Sequence, residues 1–148
     1  MVESKIMKQK EQQLLLKELC ARSPYGVKVV YLATTYSIQY VDSKFGEVKL
    51  EGMPHTVGIG HIKLYLRPMS SMTDEEFNSL KEETALNYNN QLDLVDWNNG
   101  CKTLEFWLKE IPSYVAILVF DWLNSHHFDY RALIDRGLAL EAPEGMYK

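Results

Sequence analysis

A chain of 148 residues with 46% hydrophobic content and a formal net charge of −4 fits one folded domain and excludes a disordered or strongly basic protein. A domain of this size buries roughly two thirds of the surface its unfolded chain exposes. It therefore needs no disulfide framework, and the widely spaced Cys20 and Cys101 read as free thiols in a reducing cytoplasm. The charge is uneven: residues 1–72 hold ten Lys/Arg against six Asp/Glu, and residues 73–148 hold six against fourteen. The start of the chain has no apolar run suited to a leader, and the longest apolar run, 114–120, is too short for a bilayer, so a cytoplasmic protein without membrane contact is expected.

Residues 3–22 read as a helix, with Leu14, Leu15, Leu16, Leu19 and Cys20 at helical spacing and neither Gly nor Pro inside. Ser23-Pro24-Tyr25-Gly26 ends it, because the residue before a proline avoids the helical region. Strand-like runs follow at 27–33, 36–41, 47–51 and 56–59, and 61–66 reads as a fifth strand or one helical turn. Tyr36, Ile38 and Tyr40 alternate with polar residues, which places all three on one buried face. Short strands at this spacing predict a meander or a small closed SH3-like β-barrel, since a short open sheet leaves edges unprotected.

After Arg67-Pro68 the chain changes character. Thr73-Asp74-Glu75-Glu76 is a capping box and starts a helix that should reach about Asn87. The Asn-rich stretch 87–100 reads as a loop, 101–110 and 113–124 as helices divided at Pro112, and 130–136 as a last short helix with Asp129 as N-cap and Gly137 as C-cap. The tail after Leu140 contains Pro143 and Gly145 and should be loose. The expected fold class is α+β: an N-terminal helix over 1–24, a small β-barrel or meander over 25–68, a helical segment over 73–140 packed on it, and a tail over 141–148.

No residue pattern points firmly to catalysis or to a cofactor. His126-His127 would need further metal ligands from Asp121, Asp129, His55 or His61, and no zinc-type spacing is present. A triad of Cys101, a histidine and Asp121 lacks any surrounding motif, and the paired carboxylates fall in the most polar stretches. Gly58-Ile59-Gly60 is too short for a dinucleotide fingerprint. The expectation is a protein that is not an enzyme and holds neither metal nor cofactor.

Two binding surfaces stand out instead. Lys28, Lys44, Lys49, Lys63 and Arg67, interleaved with Tyr25, Tyr31, Tyr36, Tyr40, Phe45 and Tyr65, resemble in composition a small-barrel surface for single-stranded nucleic acid. Near the C-terminus Trp122, His126, His127, Phe128, Tyr130 and Arg131 crowd together with the composition of an interface. They should form one cluster that joins the last helix to the rest, with Trp122 largely buried.

Three strings carry a resemblance. Leu19-Cys20-Ala21-Arg22-Ser23-Pro24-Tyr25-Gly26-Val27, Tyr65-Leu66-Arg67-Pro68-Met69-Ser70-Ser71-Met72-Thr73, and the block from Trp122 to Arg131 continued by Gly137-Leu138-Ala139-Leu140 resemble a group of small uncharacterised proteins from phages, prophages and mobile elements of gut anaerobic bacteria. The resemblance brings no catalytic residues with it. It implies a phage or mobile-element setting, in which small proteins often act by stoichiometric binding, including inhibition of host defence systems. The expected partner is a host protein or ribonucleoprotein complex. The alternative is a nucleic-acid-binding protein in phage or element regulation.

Overall fold

The computed structural model describes residues 2–84 and 113–147. The Asn-rich stretch 87–100, the expected helix 101–110 and Cys101 lie outside the described residues. The protein is α+β, and its described residues form a long N-terminal helix, an open mixed seven-stranded sheet and further helices.

Helix α1 (Val2–Arg22) ends where expected, passing into a 3-10 turn at Ser23–Tyr25 and then Gly26, whose φ of 76° lies in the left-handed region that glycine tolerates. The meander then forms from β1 (Lys28–Tyr31), β2 (Thr34–Asp42), β3 (Glu47–Leu50) and β4 (Thr56–Gly58), each antiparallel to the next. A 3-10 turn at Ile59–His61 leads into β5 (Lys63–Pro68), so the fifth segment is a strand. β5 is antiparallel to β1, and the strand order is β4-β3-β2-β1-β5-β6.

Among the described residues the sheet does not close into a barrel. It recruits the end of the chain instead. β6 (Phe128–Asp129) and β7 (Ala139–Glu141) both pair with β5, and both run parallel to it. Parallel neighbours need a long crossover, and everything between Met69 and His127 serves as one. The segment after residue 73 thus contributes two strands to the sheet begun by residues 28–68.

Between these strands lie α2 (Asp74–Thr84) and α3 (Ser113–Ser125). The capping box forms at α2: Glu76 N–H donates to Thr73 Oγ1 at 3.1 Å, and Thr73 N–H donates to Glu76 Oε1 at 3.1 Å. The expected helix at 130–136 is a run of turns. Ala132, at φ 56°, interrupts helical geometry at its start. Asp129 still caps, accepting Leu133 N–H at 2.8 Å and Ile134 N–H at 2.9 Å, and Gly137 still takes a positive φ of 76°. The local signals were right, and the element they were expected to bound did not form.

Two apolar clusters result. Leu15 and Leu19 of α1 pack against Val29, Val48, Leu50, Leu64 and Leu66 on the inner sheet face. Phe77 and Leu80 of α2 pack with Val119, Trp122 and Leu123 of α3, and with Phe128 and Tyr130. Cys20 is exposed on the far side of α1. Among the described residues, no helix is long and apolar enough to cross a membrane.

Candidate functional site

The outer face of the sheet carries most of the basic and aromatic residues singled out above, but it uses many of them internally. In β2 the register slips between Ile38 and Tyr40: Ile38 faces Leu50 and Tyr40 faces Lys49, so Gln39 is the extra residue of a bulge. A bulge reverses the in/out alternation. Tyr36 and Ile38 therefore stay half-buried against the core, whereas Tyr40 is turned outward beside Lys49 and is exposed. The three-residue stripe expected on one face does not survive this shift.

Lys28 Nζ donates to Ser37 Oγ, its neighbour across the β1–β2 ladder. Lys49 Nζ donates to the carbonyls of Leu50 and Met53 and so ties down the β3–β4 turn. Arg67 forms a two-pronged pair with Glu76, at 2.6 and 2.8 Å, while its guanidinium lies 4.2 Å from the centre of the Phe128 ring. That pairing holds the Glu76 carboxyl below the usual carboxylate range. Of the eleven basic and aromatic residues singled out in this front, Tyr25, Tyr40, Lys44, Phe45 and Lys63 are exposed.

The C-terminal cluster forms, and it is a joint. Trp122 is 6% exposed and stacks on His126 with ring centres 3.9 Å apart, and on Phe128 at 5.9 Å. Its indole N–H donates to Glu83, fixing α3 on α2. His126 Nδ1 lies 2.9 Å from the Trp122 carbonyl and closes the last turn of α3. His127 ends the helix in a left-handed conformation, φ 65°, where glycine is the usual choice. It is buried and stacks on Tyr147 at 3.7 Å. Burial, with the nearby Arg22, His126 and Arg67 charges, pushes its pKa down to about 4, so its imidazole is neutral near pH 7.

Beneath this joint lies an ion cluster missed by the sequence analysis. Arg22 and Glu18 are 0% and 1% exposed, and Arg22 Nε donates to Glu18 at 2.6 Å. Arg22 Nη2 donates to the Phe128 carbonyl at 2.6 Å, and Arg131 reaches Glu18 from the surface at 3.2 Å. A signal was present: positions 15, 18, 19 and 22 share one helical face, so Glu18 and Arg22 interrupt the apolar stripe of Leu15 and Leu19. Arg131 is thus a partner in an internal network with its outer edge in solvent.

The tail is anchored, contrary to the expectation for residues after Leu140. Ala142 N–H donates to the Leu66 carbonyl at 2.8 Å. The Tyr147 hydroxyl accepts Lys28 N–H at 2.8 Å and donates to the Tyr65 carbonyl at 2.7 Å. Burial raises the Tyr147 pKa to about 12, so the phenol stays protonated. Pro143, Glu144, Gly145 and Tyr147 border a cleft of 540 Å³ that is also lined by Arg67, Ser71, Thr73 and Glu76.

The hairpin tip between β1 and β2 is the second feature the sequence did not announce. Tyr31 pairs with Thr34, which leaves Leu32 and Ala33 as a two-residue loop with φ of 49° and 65°. Such loops favour Asn-Gly, because both central residues need positive φ. Leu32 is 79% exposed there. Among the described residues, no group of three or more His, Cys, Asp or Glu side chains could hold a metal ion. No protein-family model matches this chain, and no curated protein or solved structure matches it.

Proposed function

We propose that this protein is a non-enzymatic accessory factor of a phage or mobile element, acting in the cytoplasm by stoichiometric binding to a host protein or ribonucleoprotein complex. Inhibition of a bacterial defence system is the role that setting suggests. The observation that carries the binding reading is the β1–β2 tip. Two non-glycine residues are held in left-handed geometry, at about 1–2 kcal/mol each, to present a bare leucine to solvent. The geometry itself closes the β1–β2 hairpin, but Asn-Gly would close it without the strain, so the choice of Leu and Ala there adds nothing to the fold. Strain kept at a site that packs nothing is best explained by a contact made outside the chain.

The polar groups suited to chemistry favour the same reading. His126, Glu18 and Glu76 are each bonded to a neighbour that locks the joint or a helix start. Arg22 uses Nε and Nη2 in the same way while its Nη1 has no partner among the described residues, and His127 is held by its stack on Tyr147 with Nδ1 buried and likewise without a partner. The nucleic-acid alternative rests on the exposed Lys44, Lys63, Tyr25, Tyr40 and Phe45, with Lys28, Lys49 and Arg67 already engaged. The test is a host-lysate pull-down with and without nuclease, over a range of salt, comparing the native chain with Leu32→Asp. A host protein retained at one-to-one ratio after nuclease, weakly salt-dependent and lost in Leu32→Asp, is the expected result. Loss on nuclease treatment, with steep salt dependence, would assign the surface to nucleic acid.

A further inference from the structure

Along the side of β5 that faces β1, Val30 pairs with Lys63 and Val29 with Leu64. One more step of that register would join Lys28 directly to Tyr65. The direct ladder bond is replaced there: the Tyr147 hydroxyl takes Lys28 N–H and gives its own proton to the Tyr65 carbonyl. Just beyond, Arg67 N–H donates to the His127 carbonyl at 2.7 Å, where β6 takes over from β1. The phenol therefore fills the gap between the end of one strand and the start of the next. The His127 imidazole forms the floor of that gap, 3.7 Å from the phenol ring and tilted 20° from it.

We propose that this gap is a phenol-recognition slot, filled in cis by Tyr147, and that a tyrosine side chain of the bound protein takes it when the strap 143–147 lifts. The slot supplies one backbone donor, one backbone acceptor and one flat ring, which together match a protonated phenol and no aliphatic side chain. β7 and β1 both pair with Leu64, so they lie on opposite sides of β5, and the strap must cross that strand to bring Tyr147 home. Its middle, Pro143-Glu144-Gly145-Met146, has one internal bond, Met146 N–H to the Pro143 carbonyl at 3.1 Å. Lifting the strap costs little beyond the slot contacts, and it also opens the 540 Å³ cleft beside it.

This inference rests on the protein-binding reading for its partner, but the slot is testable on the purified chain alone. The probes are N-acetyltyrosinamide and N-acetylphenylalaninamide, titrated by NMR and thermal melting into full-length Tyr147→Ala. The tyrosine probe should raise the melting midpoint and shift the Lys28 amide, at an affinity at least about tenfold above that of the phenylalanine probe, since a buried donor and acceptor are left unpaired without the hydroxyl. The native chain should bind the tyrosine probe more weakly than Tyr147→Ala does, because its own strap competes. Equal binding of the two probes, no binding, or equal binding to native and variant chains would each overturn the slot. If Tyr147→Ala does not fold, Tyr147→Phe keeps the ring and removes the hydroxyl. Lys28 amide exchange should then quicken about three- to tenfold, the loss expected for one hydrogen bond, and an unchanged rate would overturn the proposal. A native dimer that N-acetyltyrosinamide dissociates would give the slot to a second copy's Tyr147 and overturn the partner half of the inference.

Discussion

From Lys28 to Gly58 each strand pairs with its neighbour in sequence, whereas around Phe128 the chain joins segments up to 119 residues apart. The meander is built from hairpins and an apolar inner face, and its polar side chains mostly tie neighbouring strands or turns together, as Lys28 does to Ser37 and Thr56 to Glu47. The junction is built from directed bonds: Arg22 to Phe128, Arg67 to Glu76, Asp129 to the following turn, Tyr147 across β1 and β5. Short-range pairings close small loops and lose little entropy, so they tolerate plain side chains. Long-range closures lose more, and here they are reinforced by charged hydrogen bonds in the interior.

The contrast can be broken most severely at Arg22. Arg22→Ala leaves the Glu18 carboxylate buried with only the partly exposed Arg131 beside it, and it removes the donor to the Phe128 carbonyl. A loss of about 3–5 kcal/mol is expected by urea unfolding. Replacing the pair together, Glu18→Leu with Arg22→Met, should cost clearly less than Arg22→Ala alone; equal costs would mean that the charges do not act as a pair. Trp122→Ala should cost a comparable ~3–5 kcal/mol, because it empties the stack between His126 and Phe128. If that variant melts like the native chain and loses only its partner, the joint is a binding site.

A smaller effect, of opposite sign, is expected in the meander. Leu32→Asn with Ala33→Gly supplies the residues that the tip geometry favours and should stabilise the protein by about 1–2 kcal/mol. Capture of the host partner should weaken in the same variant. Stabilisation without that loss would separate the strained tip from binding.

A separate effect concerns pH. His127 has a folded pKa of about 4, below its ordinary 6.5, so between these values the unfolded chain binds the extra proton and the folded chain does not. The stability linked to a neutral His127 is complete above pH 6.5 and is lost progressively as pH falls towards 4. Glu76, lowered by Arg67, adds a separate loss only below its ordinary 4.5. His127→Phe keeps a ring against Tyr147 and should flatten the upper window alone; an unchanged slope in urea midpoint between pH 6.5 and 4.5 would remove His127 as its source.

Much of the candidate site was legible in parts. The capping box at Thr73 and Glu76, the Asp129 cap and the burial of Trp122 all follow from short-range patterns, and each is found in place. The outward turn of Tyr40 was not legible, because a bulge is chosen by strand pairing and leaves the alternation of residues unchanged. The docking of Tyr147 was not legible either, since a tail with Pro143 and Gly145 carries no local preference that names a distant partner.

By itself the sequence determined the α+β class, the extent of α1, four meander strands and the start of α2, because helical and strand periods and caps act within a few residues. Tertiary structure alone decided that the sheet stays open and is extended by β6 and β7, that Lys28, Lys49 and Arg67 turn to internal partners, and that Glu18 and Arg22 meet Phe128 beneath the joint. The reason is physical. Those outcomes depend on which buried carbonyls and strand edges lack partners after the local elements have formed, and that is a property of the assembled backbone.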